Sequence, residues 1–237
     1  MALFLAIVGV LAGALTTFAG MGGGLMLVVV LSIGSDPRTA LVTSAPALLV
    51  GNLHRLYLYR RALDRDVALR FVLGAVPGSL LGGTLLAVVP AGTVTVLTLG
   101  MTALAVARAF GLVKLTTPRW ALAPAAFVIG GLAATAGGAA VLVAPVLMAA
   151  GLAGDAYLAT VAAAAVAMHA GRIAAYGGSG LFAGDIPLHA AWLTVFILVG
   201  NLVGKRLRGR LAEGVTSRIE VGALVVSAAL GLVGLGR

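Results

Sequence analysis

Long apolar runs alternate with short clusters of glycine, proline and charged residues along the whole chain. Most of the runs extend over roughly 17 to 25 residues, which as a helix is enough to cross about 30 Å of hydrocarbon. Strands of a membrane barrel would instead alternate apolar with polar residues over about ten positions, and these runs do not. The pattern predicts an all-α, polytopic transmembrane helical bundle without a soluble domain.

The clusters of glycine, proline and charged residues divide each half of the chain into five segments. In the first half they cover residues 2–19, 25–33, 37–59, 67–89 and 93–113, and in the second half 120–136, 139–150, 156–176, 187–203 and 219–235. The second segment of each half has only about ten or twelve residues, roughly 15 to 18 Å as a helix, and is too short to span alone. We therefore predict about 8–10 membrane segments, with broken or short helices near the midplane.

The two halves repeat each other at an offset of 117 residues. The coincident positions include Gly13 with Gly130, Gly20 with Gly137, Thr43 with Thr160, Arg55 with Arg172, and Tyr59 with Tyr176. We assign residues 1–118 to a first transmembrane repeat and residues 119–237 to a second, within one integral membrane domain. Such repetition is typical of secondary transporters, whose substrate site lies where the repeats meet, although a duplication retained only for folding would leave the same pattern.

Positive charges indicate how the repeats are oriented. The chain has 16 Lys and Arg against 7 Asp and Glu, a formal net charge of +9, and cytoplasmic loops of membrane proteins collect Lys and Arg. The junction after the third segment is basic in the first half, where it includes Arg60 and Arg61. Its counterpart in the second half holds Asp185 and has no Lys or Arg between Arg172 and Lys205.

Equivalent loops with opposite charge bias are expected to face opposite sides of the membrane. We therefore predict inverted-topology repeats with both termini on the outer side of a bacterial inner membrane. Each half then crosses the membrane five times, or three times if its first two segments form a re-entrant hairpin.

Composition excludes several kinds of chemistry. The chain has no Cys, which rules out disulfides and thiolate catalysis. All seven acids lie at junctions or helix ends, so the chain does not resemble a cation carrier. We predict no metal, no cofactor and no catalytic residues. The expected partners are a small anionic substrate and the lipid bilayer rather than nucleic acid, and the sequence leaves the oligomeric state open, a homodimer included.

Glycine clusters mark the breaks between the first and second segments. Glycine lets the backbone turn sharply, and the helix that starts after it points N–H groups into the gap, which is a favourable place for an anion. Close helix packing is the alternative reason for glycines in a membrane protein. The predicted substrate-binding glycines are Gly20, Gly22, Gly23, Gly24, Gly137 and Gly138.

Polar side chains on the third segments complete the predicted site. Thr43, Ser44 and Thr160 carry hydroxyls that suit oxyanions, although such hydroxyls also bond to their own helix backbone. Asn52 and Arg172 are predicted to bind substrate, because polar and ionisable residues inside membrane segments are costly.

Two residues near these positions receive separate interpretations. His169 is the candidate for proton coupling, since an imidazole changes charge near neutral pH. Arg55 precedes a basic junction, and snorkelling of its side chain to the lipid headgroups is the simpler interpretation there.

The glycine run Gly20-Met21-Gly22-Gly23-Gly24, a short apolar run, Ala40 and then Thr43-Ser44 resemble the signature of the sulfite exporter TauE/SafE family of membrane permeases. The second copy is looser, with Gly137-Gly138, Pro145 and Thr160. The resemblance implies export of sulfur-containing oxyanions such as sulfite, sulfoacetate or other organosulfonates from the bacterial cytoplasm. Rocking of the two inverted halves would expose a site between them alternately to the two sides of the membrane.

Two other functions are consistent with the residues alone. The first is a passive anion channel, which only substrate saturation or counterflow would separate from a carrier. The second is an intramembrane serine hydrolase that uses Ser179 with His169 or His189. Ser179 lies in a glycine-rich junction, where a turn is the ordinary explanation.

Overall fold

A computed structural model describes residues 2–19, 22–112, 117–138 and 140–208, together with isolated positions between 210 and 229. Within this part of the chain all regular structure is helical, which confirms the predicted all-α fold. The last predicted segment, 219–235, lies outside the continuously described residues.

The described residues form the following α-helices: α1 Ala2–Ala19, α2 Gly23–Gly34, α3 Pro37–Tyr59, α4 Arg65–Val88, α5 Ala91–Ala109, α6 Leu122–Ala136, α7 Ala140–Ala149, α8 Gly154–Gly178 and α9 Ile186–Arg208. Short 3-10 turns precede α4, at Arg60–Ala62, and α6, at Arg119–Ala121. Five of the helical segments are long and apolar enough to cross a membrane: Arg65–Val88, Ala91–Arg108, Arg119–Ala136, Gly154–Gly178 and Ile186–Arg208. The protein is therefore a multi-pass membrane protein built as a helical bundle.

Helix bounds follow the 117-residue repeat. Shifting α2 and α3 by this offset gives 140–151 and 154–176, against the observed α7 at Ala140–Ala149 and α8 at Gly154–Gly178. The shifted α1 covers 119–136, which is the 3-10 turn together with α6. The two halves thus build the same order of helices.

The first two helices form a hairpin. Phe4 and Leu5, near the start of α1, line the same groove as Ile33 and Gly34 at the end of α2. At the other end of the hairpin, Gly23 packs on the backbone of α1. The second helix therefore turns back toward the end at which α1 begins, and its 12 residues rise only about 18 Å.

Helices of one half pack against helices of the other through glycines. The first helix of each half packs most extensively on the fourth helix of the opposite half, α1 on α9 and α6 on α4. A Cβ placed on Gly13 would lie 2.3 Å from the carbonyl oxygen of Ile197, and one on Gly78 would lie 2.0 Å from that of Phe127. Only residues without a side chain allow helix backbones to approach so closely.

The two third helices, α3 and α8, pack on each other at the centre of the bundle and run in opposite directions. Tyr59, the last residue of α3, belongs to the same buried cluster as Tyr157 and Leu158 near the start of α8. The inverted topology of the repeats and the sides of the membrane on which the termini lie both stay predictions.

Candidate functional site

A cavity of about 50 Å³ lies between α3 and α8, where the helix pairs α1–α2 and α6–α7 are broken. A single water molecule needs roughly 10 to 15 Å³ on this measure, so the cavity has room for a few waters or one small ion. Its polar lining consists of Thr16, Asn52, Arg55, His169 and Arg172, and two glycines, Gly24 and Gly138, also line it. Apolar side chains from both halves form the remaining wall.

Two buried arginines occupy equivalent positions in the wall of this cavity. Arg55 is 1% exposed and Arg172 is 2% exposed. Nη1 of Arg55 donates to the carbonyl oxygen of Thr16 at 2.5 Å, and Nη1 of Arg172 donates to that of Ala133 at 3.3 Å. Thr16 and Ala133 are themselves 117 residues apart. Each half therefore repeats the same contact, from its third helix to the end of its first helix.

The ends of α1 and α6 attract cations for a simple reason. The last carbonyls of a helix lack intrahelical partners and carry the negative end of the helix dipole. A guanidinium supplies both hydrogen-bond donors and positive charge at that point. In the second half the Tyr176 hydroxyl adds a further bond, 2.5 Å long, to the carbonyl oxygen of Ala134.

The structure corrects the snorkelling interpretation of Arg55. Its side chain is buried against the end of α1 rather than extended toward lipid headgroups. The reason is that α3 continues to Tyr59, so Arg55 lies one turn before the helix end, and the break after α1 offers unpaired carbonyls nearby. Arg55 and Thr16 are the polar site residues that sequence reasoning missed, although the equivalence of Arg55 with Arg172 in the repeat pointed to the former.

Arg172 carries donors without partners among the described residues. Its Nε and Nη2 are buried and make no hydrogen bond. His169, one turn earlier on α8, is in the same state: its Nδ1 is buried and unbonded, although the ring as a whole is only partly buried. None of the described residues that line the cavity is an Asp or Glu. A buried cation with no counter-charge is costly, so the arrangement favours an anion in the cavity.

Position 52 of the first half corresponds to position 169 of the second. The first half holds Asn52 there, whose Nδ2 donates to the carbonyl oxygen of Leu48 at 2.7 Å. The second half holds His169, whose Nδ1 is buried and makes no hydrogen bond among the described residues. The backbone of the site is thus repeated, while its side chains differ.

Among the predicted site residues, Gly24, Asn52, Gly138, His169 and Arg172 line the cavity. The other described glycines of the predicted site do not line it. Gly22 caps α2 with φ at 87°, and Gly137 caps α6 with φ at 71°, backbone angles that favour glycine. Gly23 serves packing, since a Cβ there would lie 2.2 Å from the carbonyl oxygen of Ala12. Gly20 lies outside the described residues.

The predicted hydroxyl residues are buried, but they do not line this cavity. The Ser44 hydroxyl donates to the carbonyl oxygen of Leu41 in its own helix. The Thr160 hydroxyl has no partner among the described residues. Thr43 lines a wider groove of about 430 Å³, together with His189, at the end of the bundle where α3 begins.

Comparison with known families identifies the family of the chain. The family model described as sulfite exporter TauE/SafE matches residues 5–232, nearly the whole chain. The chain belongs to the sulfite exporter TauE/SafE family. Neither the search of curated proteins nor the search of solved structures found a match.

Membership of the TauE/SafE family makes this protein one of a family of membrane transporters of sulfur-containing anions. The geometry separates Ser179 from His169, one of the two histidines considered for a hydrolase. Ser179 follows the last residue of α8, and its N–H donates to the carbonyl oxygen of Ala175. His169 lies ten residues earlier in the same helix, about 15 Å along its axis, and His189 lines the separate groove with Thr43.

Proposed function

We propose that this TauE/SafE protein exports small sulfur-containing oxyanions from the bacterial cytoplasm, and that the anion binds in the cavity between α3 and α8. One observation carries the proposal: Arg172, whose buried Nε and Nη2 make no hydrogen bond among the described residues, lines a cavity with no acid among its described lining residues. An oxyanion would supply the missing charge and the missing acceptors.

Backbone dipoles add to this attraction. Gly24 lies in the first turn of α2, and Gly138 lies two residues before α7 begins, so the positive ends of two short helices border the cavity. An anion that leaves water must replace its hydration shell, and free N–H groups at helix starts offer replacement donors. Paired broken helices that meet near the midplane have this role in secondary transporters.

Transport requires that the cavity opens alternately to the two sides. The same order of helices in the two halves supports a mechanism in which the halves rock against each other. Proton coupling through His169 is part of the proposal, because protonation of its imidazole would add positive charge beside the anion. We also place both termini on the outer side, on the distribution of Lys and Arg.

A flux assay in proteoliposomes tests this function. Purified full-length protein would be reconstituted with internal sulfite, sulfate, sulfoacetate or chloride, with and without a pH gradient. We expect saturable sulfite efflux in the wild type and its loss in Arg172→Gln. Arg206→Gln, which removes the same charge from an exposed position near the end of α9, is the matched control and should retain efflux.

Each outcome of the assay bears on a separate part of the proposal. Equal loss in Arg172→Gln and Arg206→Gln would contradict the role of the cavity. Efflux that fails to saturate and shows no counterflow would indicate a passive channel. Absence of flux for all sulfur oxyanions would contradict the transport function itself.

A further inference from the structure

The two halves of the cavity offer unequal hydrogen-bonding capacity. On α3, the Asn52 amide is bonded to its own helix and Nη1 of Arg55 holds the end of α1. On α8, Nε and Nη2 of Arg172 and Nδ1 of His169 are all buried and unbonded. Nε of Arg55 on α3 is a further buried atom without a hydrogen bond among the described residues. Arg172 differs in that two adjacent donors of one guanidinium, Nε and Nη2, are in this state, with Nδ1 of His169 one turn away on the same helix.

The free donors of Arg172 have a particular geometry. Nε–H and Nη2–H point in parallel from one edge of the planar guanidinium, while Nη1 is turned away to the carbonyl oxygen of Ala133. Two parallel N–H groups match two oxygens of a single oxyanion, in a two-point contact that a lysine ammonium cannot reproduce. A halide is one sphere and provides no second oxygen for the pair.

We propose that the anion is held off the pseudo-two-fold axis, against α8, with two oxygens on the Nε–Nη2 edge of Arg172 and a further oxygen on a protonated Nδ1 of His169. Arg172 is then the residue that determines specificity for oxyanions over halides. This inference rests on the proposed anion-transport function. It adds the helix that the anion contacts, the atoms of Arg172 that bind it, and the discrimination against halides.

Arg55 has a different role in this arrangement. Its 2.5 Å bond to the carbonyl oxygen of Thr16 ties α3 to the end of α1. That makes it a positioning residue that supports the shape of the cavity and contributes positive charge. Its replacement should weaken the binding of all anions to a similar extent, whereas replacement of Arg172 should weaken the binding of oxyanions selectively.

Binding selectivity separates the two arginines. Full-length protein in detergent would be titrated by calorimetry with sodium sulfite, sodium sulfate and sodium chloride, for the wild type, Arg172→Lys and Arg55→Lys. Loss of one charge-assisted hydrogen bond corresponds to a loss of about ten-fold or more in affinity. We expect Arg172→Lys to lose this for sulfite and sulfate but much less for chloride, and Arg55→Lys to keep the ratio of sulfite to chloride affinity.

The ratio of two affinities in one preparation does not depend on the fraction of folded protein, which protects the comparison against partial misfolding. A third variant, His169→Asn, gives α8 the residue that α3 carries at the equivalent position and should lower the sulfite-to-chloride ratio about three-fold or more. If Arg172→Lys cannot be purified, this variant decides the matter.

The outcomes distinguish the inference from the function on which it rests. An unchanged ratio in Arg172→Lys or in His169→Asn, or a collapsed ratio in Arg55→Lys, would overturn the inference and leave anion transport standing. A wild type that binds sulfite and chloride equally would do the same. A wild type that binds none of the three anions would contradict the proposed function.

Discussion

Substitution of a single glycine tests a close backbone contact between the two halves. Gly78 of α4 faces Phe127 of α6, and a Cβ on Gly78 would lie 2.0 Å from the carbonyl oxygen of Phe127, 2.7 Å from its carbonyl carbon and 2.9 Å from its Cα. All three atoms belong to the backbone, so no side-chain rotation relieves the clash. Gly78→Ala therefore forces the two helices apart.

The magnitude follows from these distances. Ordinary contact begins at 3.4 Å, so the contact to the Phe127 oxygen must lengthen from 2.0 to at least 3.4 Å, about 1.4 Å. Overpacking of this kind costs about 1–3 kcal/mol, and the better helix propensity of alanine returns about 1 kcal/mol. The matched control is Gly100→Ala in α5, where nothing lies within 4 Å of the added Cβ and only the gain in propensity remains.

Thermal unfolding of the purified variants in one detergent measures the difference. We expect Gly100→Ala to raise Tm slightly and Gly78→Ala to unfold about 2–12 °C below Gly100→Ala, because the overpacking of about 1–3 kcal/mol separates the two variants and each kcal/mol moves the Tm of a chain of this size by about 2–4 °C. If Gly78→Ala were as stable as Gly100→Ala, α4 and α6 would not be in backbone contact. The crosswise packing of the two halves would then be wrong.

Two further substitutions test other parts of the structure. Asn201→Leu removes two buried hydrogen bonds, from the Thr17 hydroxyl to Oδ1 at 2.9 Å and from Nδ2 to the carbonyl oxygen of Gly51 at 2.7 Å. It should lower the free energy of unfolding, measured by chemical unfolding, by about 2 kcal/mol. Adding Thr17→Val should not lower it further. Asp36→Ala removes the N-cap of α3, in which the carboxylate accepts from the N–H groups of Arg38 and Thr39, and should cost about 1 kcal/mol. Burial raises the pKa of Asp36, but hydrogen bonds from Thr39 and Arg38 outweigh it and lower this pKa below its ordinary 3.8. The stabilisation by the carboxylate is therefore complete above about pH 4 and disappears as the pH falls through the lowered pKa. Asp36→Asn still caps the helix, and its Tm should not show this pH dependence.

Helix positions could be predicted where the sequence carries strong local signals. Asp36 before Pro37 fixes the start of α3, since an N-cap followed by proline is a start signal that needs no tertiary contact. The end of α9 shows the opposite case. The apolar pattern stops at residue 203, yet the helix continues to Arg208, because Lys205, Arg206 and Arg208 in its last turn interact favourably with the helix dipole.

The site could be predicted only in part. The repeat and the glycine breaks led to Gly24, Gly138, His169 and Arg172, because equivalent irregularities in two repeats mark the place where they meet. Arg55 was misjudged because sequence position does not reveal that the end of α1 supplies acceptors for it. Hydroxyls such as that of Ser44 suit oxyanions chemically, but the Ser44 hydroxyl donates to its own helix backbone, which no sequence pattern specifies.

Direct observation of a bound oxyanion tests the central claim most sharply. Crystals of the full-length protein soaked with selenite, a heavier analogue of sulfite, would show the anion by the anomalous scattering of selenium. We predict a peak in the cavity between α3 and α8, within hydrogen-bond distance of Nε and Nη2 of Arg172, and its absence in Arg172→Gln crystals soaked in the same way. A peak only at another place in the bundle, or an equal peak in the variant, would contradict the account.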